Sequence, residues 1–113
     1  NICVVGSGYV GTVVAGSLAL VGHKVTAVES DKDKLEILQS GRAPFFEPGL
    51  DAVIADQSER GNLLFTDDLA AGVADAEIMF LCVGTPEAPD GRPDMAALES
   101  VADAIGRVID SDK

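Results

Sequence analysis

Tryptophan is absent from this chain, and tyrosine and histidine occur once each in 113 residues. There are only two cysteines, Cys3 and Cys82, each inside a β-branched apolar run, and their spacing supplies neither a disulfide framework nor a zinc site. Both read as small hydrophobes on core strands, and a reducing cytoplasm is the simplest setting. The lone histidine, His23, lies between Gly22 and a β-branched segment with no nucleophile or carboxylate partner beside it. Its imidazole is therefore expected to cover helix-terminal carbonyls and not to do acid–base work. Basic residues are also scarce: 8 Lys and Arg stand against 19 Asp and Glu, a formal net charge of -11. That balance excludes nucleic acid and anionic lipid as partners, since both need Lys and Arg arrays to displace counterions. One small anion remains allowed, because helix N-termini bind phosphate through bare N–H groups. Long apolar runs are missing too. Ile2–Val5 and Ile78–Val83 fall far below the roughly 20 residues of a membrane span, and no basic-then-apolar leader precedes them. No membrane partner or targeting segment is expected.

What is present is 47% hydrophobic residues, enough to close one core, and a regular alternation of patterns. Ile2–Val5 is an apolar run ending in glycine, after which Val10, Val13, Val14, Ser17, Leu18 and Val21 recur at helical spacing up to Gly22. Lys24–Val28 reads as a second strand, and Asp31 as the N-cap of a helix through Leu35, Ile37 and Leu38 to Gly41. A loop over Arg42–Glu47 leads to Pro48 in the first turn of a third helix that buries Leu50, Val53 and Ile54 and ends near Gly61. Leu63–Phe65 is the third strand, with Thr66 capping a helix whose first turn holds Asp67 and Asp68. Ile78–Val83 is the fourth strand. A proline-bearing loop from Gly84 to Pro93 then precedes Asp94, the N-cap expected for a last helix burying Leu98, Val101, Ala102, Ile105 and Val108 or Ile109. Uniformly apolar strands alternating with amphipathic helices predict an α/β fold: a single doubly wound parallel sheet of Rossmann type, covered on both faces, in the order 3-2-1-4.

The chemistry concentrates at strand ends. Gly6-Ser7-Gly8-Tyr9-Val10-Gly11 sets three glycines directly after a strand and at the opening of a helix, the context that makes this fingerprint informative. Gly6 permits the tight turn, a side chain at Gly8 would hold a pyrophosphate off the backbone, and Gly11 allows close helix–strand packing. Glu29 ends the second strand at the distance where an acid receives the ribose hydroxyls of an adenosine, and a 2′-phosphate there would meet like charge. NAD is therefore the expected cofactor over NADP, although Lys32 and Lys34 are both able to reach a phosphate. Tyr9 either screens the pyrophosphate or packs the loop. Pro44–Leu50 carries two adjacent aromatics and reads as a hydrophobic plug. Val83-Gly84-Thr85-Pro86 closes the fourth strand beside the switch point where a doubly wound fold binds its ligand, so a glycine and a hydroxyl there face the cofactor. No residue of the chain is expected to be catalytic or to bind a metal.

Those pieces together, with Gly22-His23, Phe46-Glu47-Pro48-Gly49-Leu50 and Pro93-Asp94, resemble the NAD-binding domain of the nucleotide-sugar 6-dehydrogenases that act on UDP-glucose, GDP-mannose or UDP-N-acetylmannosamine. The resemblance implies that the glycine turn with Tyr9 and Val10 holds the pyrophosphate, Glu29 the adenine ribose, Lys34 the adenosine end and Thr85, beside Val83 and Gly84, the nicotinamide half. Glu29 stands where the family more usually has aspartate. The family oxidises a sugar C6 alcohol to a carboxylate by two hydride transfers to NAD, using a cysteine thiolate. Neither cysteine here suits that task, so the catalytic and sugar-binding parts are expected beyond Lys113, with residues 1–113 an inactive NAD-binding fragment of a homo-oligomeric enzyme. UDP-glucose is the favoured sugar and GDP-mannose the runner-up. The edge of the fourth strand, which the family pairs with a further strand, is expected to lie open and to favour self-association or a frayed last helix. Two competing readings are a β-hydroxyacid or 6-phosphogluconate type dehydrogenase, which Glu47-Pro48-Gly49-Leu50 disfavours, and a non-enzymatic NAD-sensing module.

Overall fold

In the computed structural model, which describes residues 1–113, nine elements follow one another: β1 (Ile2–Val5), α1 (Tyr9–Leu20), β2 (Val25–Val28), α2 (Lys32–Gln39), α3 (Leu50–Glu59), β3 (Leu63–Thr66), α4 (Leu69–Ala74), β4 (Ile78–Leu81) and α5 (Ala96–Val108). The four strands pair in parallel in the order β3-β2-β1-β4, which is the expected doubly wound arrangement. Each strand is too short to stand alone, and burial on both faces selects the run Ile2-Cys3-Val4-Val5 for the sheet centre. Ile2 and Val4 pack with Ala15 and Ala19 of α1, Leu35 and Leu38 of α2 and Ile54 of α3 on one face. Cys3 and Val5 point the other way, against Val73 of α4 and Ile105 of α5.

Gly72 shows how closely the second face is packed. A Cβ there would lie 2.6 Å from a methyl of Val28 and 3.2 Å from the Cys3 sulfur, so α4 reaches the sheet only because this position has no side chain.

Several elements differ from the sequence expectation for identifiable reasons. α3 starts at Leu50 and not in the turn of Pro48, because Gly49 adopts φ 82° and breaks the helical path before it. Thr66 is the last residue of β3; Asp68 caps α4 instead, accepting from the Ala71 N–H at 3.0 Å, while the Thr66 hydroxyl accepts from the Asp68 N–H. α5 has Met95 at its N-cap, yet the Asp94 carboxylate still receives the Ala96 N–H at 3.0 Å. The exposed imidazole of His23 makes no hydrogen bond; its backbone N–H covers the Leu18 carbonyl at 3.1 Å, so the residue closes the helix end by its main chain.

The largest departures concern β4 and α5. The strand ends at Leu81, short of Val83, because its partner β1 ends at Val5 and Gly6 turns away. Cys82 is consequently half-buried beyond the strand and not a core strand residue. β4 pairs with β1 alone, and its outer edge has no partner strand. Ile78 and Phe80 are in register with Ile2 and Val4 on the α1 side but no helix covers them, leaving Ile78 54% exposed. In α5 only Ile105 is buried; Val101 is half-buried, Ala102 exposed, and Val108 and Ile109 open to solvent. The helix nevertheless runs unbroken to Val108, with the Ile109 N–H bonded to the Ile105 carbonyl.

Two glycines should behave oppositely on substitution. Gly72→Ala forces a methyl into the Val28 side chain and is expected to lower stability by about 1–3 kcal/mol. Gly106→Ala, in α5 with nothing within 4 Å, should raise it by about 0.5–1 kcal/mol through helix propensity. Thermal or urea unfolding of the two variants checks the contrast.

Candidate cofactor site

Parallel strands deliver all their carboxyl ends to one edge, and here that edge gathers the β1–α1 turn, the end of β2, the β3–α4 connection and the residues after β4 around one cleft of about 450 Å³. The turn Gly6-Ser7-Gly8 is set by contacts that allow no side chain. Gly6 has φ 95°, and a Cβ on it would lie 2.8 Å from the Cys82 carbonyl oxygen. A Cβ on Gly11 would lie 1.8 Å from the Gly6 carbonyl oxygen, so α1 meets the turn only through glycine. A Cβ on Gly8, by contrast, would meet nothing within 4 Å. That side is open space at the mouth of the cleft.

α1 therefore begins bare. Its N-cap, Gly8, has no side chain to offer, and the amides of Tyr9, Val10 and Gly11 donate to no protein group. Twelve residues of aligned peptide dipoles stand behind those amides. The Ser7 hydroxyl beside them is fully buried and is the one buried side-chain polar atom without a hydrogen-bond partner. Bare amides and an orphaned hydroxyl at one helix N-terminus fit a diphosphate.

Glu29 faces this turn from the end of β2. Its Oε2 accepts from the Ser7 N–H at 2.8 Å and its Oε1 from the Asp31 N–H at 3.1 Å, while its own N–H bonds the Thr66 carbonyl. The carboxylate is buried and fixed. Each oxygen retains a second acceptor direction, so it is able to receive two vicinal hydroxyls without releasing the backbone. Asp31 next to it caps α2 through the Asp33 and Lys34 amides.

The structure brings Gly6, Gly8, Glu29, Lys34, Val83 and Gly84 together on the cleft wall. Thr85 is exposed beyond them, and Tyr9, Val10 and Gly11 border the cleft through the α1 terminus without lining it. The Tyr9 ring packs the loop: its hydroxyl donates to Glu47 Oε2 at 2.7 Å, and it lies 5.1 Å from the Phe45 ring centroid. Phe46 is no plug, being 89% exposed. Sequence reasoning missed Val5, Ser7, Val28, Ser30, Asp67, Leu69, Cys82 and Val101 as wall residues. Ser7, Asp67 and Cys82 lie at the carboxyl ends of strands and were findable from topology; nothing local marks Val101. Burial pushes the Cys3 thiol up to about 11 and raises that of Cys82 as well, so neither is a ready thiolate.

A glycine turn running into a bare helix, with a fixed acid across a parallel sheet's switch point, defines the chain as a dinucleotide-binding Rossmann domain. Over residues 1–113 it matches the UDP-glucose/GDP-mannose dehydrogenase family, NAD binding domain, and it belongs to that family. It is 43% identical over 106 residues to the UDP-glucose 6-dehydrogenase of Pseudomonas aeruginosa, covering 94% of this chain and 23% of that protein. A UDP-glucose 6-dehydrogenase of Bacillus subtilis is 41% identical over 108 residues, covering 96% and 24%. The crystal structure of a ternary complex of GDP-mannose dehydrogenase from Pseudomonas aeruginosa superposes with a TM-score of 0.90 at 38% identity, over 93% of this chain and 24% of that one. The chain thus spans about a quarter of the length of these relatives. No helix is long and apolar enough to cross a membrane.

Tyr9 is the only tyrosine, and there is no tryptophan, so its ultraviolet titration is free of overlap. The hydrogen bond to Glu47, and then that carboxylate's charge, raise its pKa. The midpoint should lie above the ordinary value of about 10 and fall back toward it in Glu47→Gln. Because the folded value is the raised one, whatever stability this bond contributes is fully present below pH of about 10 and is lost as pH climbs through the Tyr9 titration.

Proposed function

We propose that the protein to which this domain belongs oxidises the C6 alcohol of a nucleotide sugar, with UDP-glucose as substrate, in two NAD-dependent steps. The observation that carries the reading is the pairing of the bare α1 terminus with the backbone-locked Glu29 carboxylate. In this reading Gly6, Gly8 and Gly11 shape the turn, the amides of Tyr9 and Val10 hold the pyrophosphate, and Glu29 takes the adenine ribose. Lys34 lies against the adenosine end. Val83, Gly84 and Thr85 border the nicotinamide half. Bound NAD supplies the hydride acceptor; this chain's residues bind it, orient it and shield it with Leu69 and Val101.

The sugar assignment is supported by the identity to UDP-glucose 6-dehydrogenases from two organisms; GDP-mannose is the second reading, supported by 38% identity to the GDP-mannose 6-dehydrogenase of Pseudomonas aeruginosa. Bond making falls to groups other than the two thiols here. A cytoplasmic homo-oligomer completes the proposal, with two unpaired cysteines in favour of the reducing compartment.

The full-length protein, incubated with NAD and each of UDP-glucose, GDP-mannose and UDP-N-acetylmannosamine, is expected to reduce two NAD per UDP-glucose consumed, read by absorbance of the reduced cofactor. Turnover of another sugar in preference replaces the substrate. Absence of NAD reduction with all three overturns the dehydrogenase reading.

A further inference from the structure

We propose that Asp67 makes the cleft selective against a cofactor bearing a 2′-phosphate, by engaging the Lys32 ammonium and by adding a second carboxylate at the adenosine end. The proposal rests on the cofactor reading above. Asp67 is the first residue after β3, and it shares the cleft wall with Glu29, Ser30 and Lys34. Its Oδ2 lies 2.8 Å from Lys32 Nζ, an ion pair that ties the start of α2 to the β3–α4 connection.

The charges around that end decide what it accepts. Lys32 and Lys34 are the two cations that follow Glu29 most closely, and Lys34 forms no ion pair. A ribose hydroxyl asks only for an acceptor, which Glu29 supplies, whereas a 2′-phosphate asks for an unengaged cation and tolerates no neighbouring carboxylate. With Asp67 present, the Lys32 ammonium is already taken. Without it, Lys32 regains its three donors on a flexible stem and the end of the cleft becomes one charge more positive. The hydrogen bond from Lys32, and then its charge, hold the Asp67 carboxyl below the usual carboxylate range, so it is ionised at neutral pH. The pair is solvent-exposed, 82% for the lysine and 46% for the aspartate. The bridge itself therefore adds little stability; its effect on selectivity is electrostatic, the Asp67 charge cancelling the Lys32 charge that a 2′-phosphate would otherwise meet, and salt screens it.

Calorimetric titration of NAD and NADP into the unsubstituted protein, Asp67→Asn and Asp67→Asn/Lys32→Met tests this. Asp67→Asn should tighten NADP binding about tenfold with NAD changed less than about twofold, and the gain should shrink at high salt. Adding Lys32→Met should remove most of it. An unchanged NADP to NAD ratio in Asp67→Asn, with NAD still bound, overturns the proposal alone, as does a gain that survives Lys32→Met. Failure of the unsubstituted protein to bind NAD removes the cofactor reading and this proposal with it.

Discussion

One carboxylate joins the two halves of the cofactor cleft. Glu29 directly follows β2, yet its oxygens are spent on the backbone of the β1–α1 turn through Ser7 and of the β2–α2 turn through Asp31. Hydrogen bonds to an ionised acceptor are the stronger kind, about 1.5–3 kcal/mol each, and here the acceptor is buried, where a charge needs its partners most. The glycine turn is thus held in its open form by a group on the neighbouring strand. The amides at the α1 terminus are arranged before any ligand arrives, which lowers the ordering cost of binding one. Glycine at positions 6 and 11 makes this possible from the other side, since a methyl at either would collide with backbone carbonyls.

Much of this was legible in the sequence. The strand–glycine–helix opening, the acid at the end of β2, the strand order and the family all follow from local patterns, because a parallel sheet buries its central strands on both faces and so writes them as apolar runs. The sequence also singled out Glu29, as an acid expected to receive a ribose. What it did not show is that Glu29 is first a backbone clamp, for the Ser7 contact joins residues 22 apart through a bend that no periodicity records.

The misreadings share a cause. β4 and α5 carry apolar residues at the right spacing, but spacing states which residues are able to be buried, not what covers them: β4 has one neighbour strand, and α5 buries a single residue. Cap positions slipped by one or two residues where two candidates lay adjacent, Thr66 and Asp68 or Asp94 and Met95, since the hydrogen-bond geometry that separates them is set by where the preceding strand or loop ends. Tyr9 stayed ambiguous until Glu47 was found against it, a contact across 38 residues.

The account depends on the Glu29 clamp holding the turn in the free protein, and amide hydrogen exchange at Ser7 measures that directly. The Ser7 amide is expected to be strongly protected, and Glu29→Gln, which must set an NH₂ against one of two backbone N–H groups, should speed its exchange by roughly tenfold or more while the β1 amides stay slow. A Ser7 amide that exchanges freely in the unsubstituted protein, or one that Glu29→Gln leaves unchanged, contradicts the account.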